Sequence, residues 1–203
     1  KMVRWTTQGV DSADVFVTDA SGTVGLFASG ANGQQQAPWV HAGNTYNFGA
    51  NGSTERALGS LRSGTLVSTF GIQFTNLLGR TITALNLSFL GEQYRLGTAG
   101  RADRLSFEYS TTATTLTAAT GYIPLTALDF VSPTTTGPLG VLDGNLAANQ
   151  RTVAGTIAGL ELLAGQSIFL RFLDFDATGA DDGLGIDNFR AEAVTLGAVP
   201  EPS

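Results

Sequence analysis

Hydrophobic positions along this chain recur in short runs with a period of two. In TITALNLSFLG, Leu85, Leu87 and Phe89 alternate with Asn86 and Ser88, which places the apolar set on one face of a strand. DRLSFEYST repeats the pattern, with Leu105, Phe107 and Tyr109 facing in and Arg104, Ser106 and Glu108 facing out. TLVSTFGIQFTN puts Ile72 and Phe74 on one face. SIFLRFLDF is apolar on both faces, which predicts a central strand. In LGIDNFRAEAV the apolar positions step from Ile186 to Phe189 and then to Ala191 and Ala193; the three-residue step predicts a bulge. Shorter runs, MVRWTT, DVFVTD, TVGLFAS, YIPLTALDF and TVAGTIAGL, complete the set. No segment holds a 3.6-residue period over about ten residues without a Gly, Pro or polar break.

These runs amount to about ten to twelve strands with turn signals every 8–14 residues, the pattern of an all-β fold, a β-sandwich or jelly roll. Residues 46–195 read as the sandwich domain. Residues 1–45 read as an N-terminal extension with edge strands and a loop over 29–45, and residues 196–203 as a short tail. Composition agrees: 26 Gly and 12 Phe accompany frequent Thr and Ser, whereas strong helix formers are scarce. A chain of 203 residues buries roughly 70% of its unfolded surface and needs no disulfide or metal to hold a core.

Charge narrows the partners. Residues 1–101 hold seven basic and five acidic groups, and residues 102–203 hold four and twelve. So acidic a second half repels phosphate backbones, and nucleic-acid binding is not expected. No apolar run approaches the length of a membrane span. The start, KMVRWTTQGV, has no apolar core of signal-peptide type, so either a leader has been removed or none belongs here. Cysteine is absent, which removes thiolate chemistry and cysteine-based zinc sites.

The densest charge lies in the turn after SIFLRFLDF. Asp174, Asp176, Asp181, Asp182 and Asp187 are five carboxylates in fourteen residues. Interleaved with glycine carbonyls, they could supply the oxygen ligands that Ca²⁺ takes, although the closing Glu of an EF-hand loop is missing. Arg-paired or turn-capping aspartates and catalytic carboxylates are the other two readings. In GEQYR, Glu92 and Arg95 are expected to form a structural ion pair at a strand end; Glu55 and Arg56 are similar. Glu92 with an acidic-turn Asp is the one pair that suits glycoside hydrolysis. Trp39, Tyr94 and Tyr122 are candidate sugar-stacking platforms. His41, the sole histidine, lies in a polar loop without a G-x-S-x-G elbow, so no catalytic triad is expected.

The chain end VPEPS, with Pro200, Glu201 and Pro202, resembles the opening of the PEP-CTERM sorting signal of Gram-negative bacteria. The pieces GEQYR, ALDFVSP, LDGNLAANQR and DDGLGIDNF resemble a β-sandwich domain that recurs in PEP-CTERM proteins and ahead of some secreted nuclease modules. That resemblance covers about residues 45–195. It implies a secreted or cell-surface protein handled by an exosortase system, and it implies no reaction. The apolar helix and basic cluster that follow Pro-Glu-Pro in the family are missing here.

Three functions follow as expectations. The first is a non-catalytic structural or adhesive protein of a biofilm matrix, self-associating into a filament or matrix by donation of MVRWTT or DVFVTD to a neighbour. The second is a Ca²⁺-dependent carbohydrate-binding module acting on extracellular polysaccharide. The third is a glycoside hydrolase.

Overall fold

The computed structural model describes residues 6–8, 12–18, 44–49, 55–64 and 67–195. Among them are thirteen strands: β1 (Thr6–Gln8), β2 (Ser12–Thr18), β3 (Asn44–Phe48), β4 (Ala57–Leu61), β5 (Thr69–Thr75), β6 (Ile82–Leu96), β7 (Arg104–Ser110), β8 (Ile123–Pro124), β9 (Phe130–Val131), β10 (Gly140–Val141), β11 (Gln150–Leu162), β12 (Ser167–Asp174) and β13 (Gly183–Thr195). Two single 3₁₀ turns, Thr126–Leu128 and Ala147–Asn149, are the only helical elements among these residues. No helix among them is long and apolar enough to cross a membrane.

The strands make two sheets. The first runs β11–β6–β13–β4–β3, with β10 continuing the line of β11 beside β6 and β1 lying against β13. The second runs β2–β5–β12–β7–β8, and β9 also pairs with β7. Pairing is antiparallel except between β1 and β13. One continuous core joins the sheets, with Leu85, Phe89 and Ile186 from the first meeting Phe70, Ile72, Leu170 and Phe172 from the second. Phe89 packs edge-on against Phe172 across the gap, ring centroids 5.2 Å apart. The fold is therefore an all-β sandwich.

Particular expectations fare differently. β12 lies between β5 and β7 and is buried on both faces, as its unbroken apolar run predicts. The bulge in β13 falls where the three-residue step places it. Pairing with β6 shifts register between Asp187 and Arg190, and Asn188 takes a φ of 51°. β6 runs fifteen residues from Ile82 to Leu96, so GEQYR lies at its C-terminal end and Arg95 is its penultimate residue, as expected of a strand end. Within the N-terminal stretch, β1 and β2 pair into the two sheets, and β2 supplies an edge strand. TVGLFAS, Trp39, His41 and the tail with Pro200, Glu201 and Pro202 lie outside the described residues.

One close approach sets how far the core can close. Gly91 lies on the inner face of β6, and a Cβ there would sit 2.1 Å from a ring carbon of the buried Phe130. Gly91→Ala is expected to cost about 1–3 kcal/mol by overpacking. Denaturant unfolding checks this, and an unchanged midpoint would contradict it.

Candidate functional site

Asp174, Ser60 and Gln93 continue the core-facing rows of β12, β4 and β6 at one end of the sandwich. There the apolar core gives way to a buried polar plug. Ser60 Oγ donates to Asp174 Oδ2 at 2.7 Å, tying the two sheets together. Gln93 Nε2 donates to Asp182 Oδ2 at 3.0 Å and the amide of Gly97 to Asp182 Oδ1 at 2.7 Å. The Asp182 amide donates to Asp103 Oδ2, which also pairs with Arg101 Nη1 at 3.2 Å. Asp181 accepts the Ala177 amide, and its backbone carbonyl accepts from Arg95. Burial raises the pKa of Asp174, Asp181 and Asp182, making them weaker acids than ordinary aspartates. Asp174 is pushed up to about 8, with the Ser60 hydrogen bond opposing and the charges of Asp103 and Asp181 adding. Asp182 is pushed up to about 6 by burial, against the Gly97 amide. Asp181 is raised as well, first by burial.

The five aspartates singled out in the sequence do not form one site. Asp174, Asp181 and Asp182 belong to the plug. Asp176 is 65% exposed and pairs with Arg62 at 3.3 Å. Asp187 lies on the outer face of the first sheet. The five diverge because strand alternation and the turn aim them in different directions. Among the described residues, no group of three or more carboxylates or histidines is placed to hold a metal ion. Asp174, Asp181 and Asp182 accept hydrogen bonds from other segments of the chain.

Glu92 and Asp187 do come together. The charge of Asp187 helps to raise Glu92, and Glu55 helps to raise both. Glu92 is wholly buried; Tyr94 donates to its Oε2 at 2.7 Å and Gln150 to its Oε1 at 2.9 Å. Burial pushes Glu92 up to about 7 against the Tyr94 hydrogen bond, and Asp187 up to about 6 against the Asn188 amide. The expected Glu92–Arg95 ion pair is not formed. Residues an odd number of positions apart on a strand point to opposite faces, so Glu92 meets Tyr94 and Gln150 while Arg95 reaches Asp181. A hydrolytic role needs both carboxylates in an open cleft. With Glu92 at 0% and Asp187 at 5% exposure, that access is absent.

The aromatic candidates are likewise engaged. Tyr94 is 2% exposed, stacked on Phe48 at 4.7 Å and covered by the loop at Gly144. It is a packing residue and not a platform. Tyr122 carries the Arg171 guanidinium 3.4 Å above its ring, and its hydroxyl donates to the Thr115 carbonyl. Arg171 also donates to Glu108 Oε2 at 2.6 and 2.9 Å and to the carbonyls of Leu116 and Ala118. It clamps the Thr-rich loop onto the outer face of the second sheet.

An accessible feature among the described residues lies at the opposite end, where β11 ends. Two adjoining clefts share Gly159, Leu160 and Glu161. One, about 340 Å³, is lined further by Tyr109, Thr111, Thr112, Ile123 and Gln166. The other, about 620 Å³, adds Thr81, Thr83 and Leu163. Gly159, with a φ of +69°, marks the irregularity that turns β11 away from β6 and opens the groove. Hydroxyls, an amide, one carboxylate and an aromatic ring beside apolar Ile123 make a lining suited to a polar, hydroxyl-rich ligand. Sequence reasoning did not find this site, because its residues come from four separate segments. Sequence reasoning also gave no role to Asp103 and Gln93 of the plug; an acidic residue opening an alternating run, as Asp103 opens DRLSFEYST, is a usable sign.

No protein-family model and no curated protein matches the chain. Among solved structures, the chain is similar to a carbohydrate-binding module, TmCBM61, determined in complex with β-1,4-galactotriose. The TM-score is 0.37 with 11% identity, over 70% of this chain and 72% of that one. At that level of likeness neither fold nor ligand transfers.

Proposed function

We propose that this chain is a non-catalytic, exported β-sandwich module that binds extracellular polysaccharide through the paired clefts around Glu161. The observation that carries the reading is the groove itself. It is an open, mixed polar and aromatic surface among the described residues, whereas Glu92, Asp187, Asp174 and Asp182 are buried and engaged in structure. The VPEPS tail supports export to the surface of a Gram-negative cell. β1 and β2 pair within the chain's own sheets, so donation of either to a neighbour would exchange an existing pairing.

Titration calorimetry with a panel of neutral and acidic polysaccharides tests this. Glu161→Ala and Tyr109→Leu are each expected to weaken binding about tenfold, the worth of one good polar or stacking contact. Calcium chelation serves as a parallel arm for the calcium expectation. No binding across the panel, or binding indifferent to both substitutions, would sink the proposal.

A further inference from the structure

β11 is an edge strand of unusual length. Its one strand neighbour among the described residues is β6, paired without interruption from Gln150–Glu92 to Ala158–Ala84. Outside that ladder, no backbone hydrogen bond involves residues 151–158 among the described residues. Protein edges of this kind are ordinarily blunted by charge, proline, bulges or shortness. The stretch 152–158, TVAGTIA, has none of these.

We infer that this edge pairs antiparallel with β11 of a second copy, extending the first sheet across a two-fold axis. Self-complementarity names the occupant. With the axis at Gly155, Ala154 lies opposite the partner's Thr156 and Thr152 opposite the partner's Ala158. All four are exposed and small, so the outer face closes without a clash. On the inner face, buried Val153 meets the partner's Ile157, continuing the apolar core across the seam. Arg151 and Glu161 flank the paired window, exposed and without an ion pair among the described residues. Antiparallel pairing brings the basic end of one strand to the acidic end of the other at both ends, whereas parallel pairing sets like charges together. An isologous contact of this type closes as a dimer. The smaller cleft reaches Ala158, the last residue of the window, so the seam borders it.

Light scattering across a concentration series tests it. The full chain is expected to have about twice its 21.0 kDa mass. Ala154→Lys and Thr156→Glu are each expected to run as folded monomers with wild-type melting, because each sets a charge against an apolar or hydroxyl neighbour and, across the seam, two copies of it near one another. Mixing Ala154→Lys with Thr156→Glu should restore the dimer, since the register opposes those two positions. A monomeric wild-type chain at every concentration, single variants that stay dimeric, or a mixture that fails to dimerise overturns the inference. If one variant misfolds, the other variant and the wild-type series still decide.

Discussion

The melting temperature of this protein is expected to fall as the pH is raised from 5 to 8.5. Asp174, Glu92, Asp182 and Asp187 have folded-state acidities of about 8, 7, 6 and 6, all above ordinary carboxyl values because burial penalises the charge. A group raised on folding contributes stability that is fully present below its unfolded value, near 4. That stability is lost as the pH rises through the folded value. The losses therefore accumulate between pH 4 and 8, with Asp174 last and largest. Together they amount to about 5 kcal/mol or more, or a drop of roughly 10–20 °C for a chain of this size. Asp174→Asn should flatten the alkaline limb. Its amide oxygen still accepts from Ser60, and it removes a buried ionisable group whose Oδ1 has no hydrogen-bond partner. The variant is expected to match the wild type at pH 5 and to exceed it at pH 8.5. Calorimetric scans across the range settle the matter; a flat or rising profile would show that the carboxylates are solvated.

Arg171→Ala is expected to cost about 3–5 kcal/mol, the usual cost of leaving one partner of a buried ion pair alone. The guanidinium holds Glu108 through two nitrogens, accepts the weight of Tyr122 on one face and satisfies two loop carbonyls. Arg171→Lys should rescue little, because a compact ammonium cannot make the planar fork and stack together. Denaturant unfolding at neutral pH measures both. A loss under about 1 kcal/mol for alanine, or full rescue by lysine, would mean that the loop is held by other contacts.

Legibility was uneven along this chain, and the unevenness has a cause. Where burial follows the period of a single strand, as in Leu85–Phe89 or Leu105–Tyr109, the residues speak for themselves. The bulge at Asp187–Asn188 was legible for the same reason, since a break in a local period is still local. GEQYR was not. Its residues are a charged strand end, yet β3, β4 and the loop at Gly144 cover that part of the outer face, so Glu92 and Tyr94 are buried there.

The sequence by itself determined an all-β chain, its central strand β12, its bulged last strand and the concentration of acid around residues 174–187. Each follows from side-chain alternation or from neighbours in the chain. The tertiary structure alone decided which acids share a site, which aromatics are covered, and where a groove stays open. Asp174 meets Ser60 across 114 positions and Asp182 meets Asp103 across 79. The clefts form where the ends of β6, β7, β8 and β11 diverge. Such encounters depend on sheet order and twist, which strand periodicity does not encode, because the same alternating runs are compatible with many pairings.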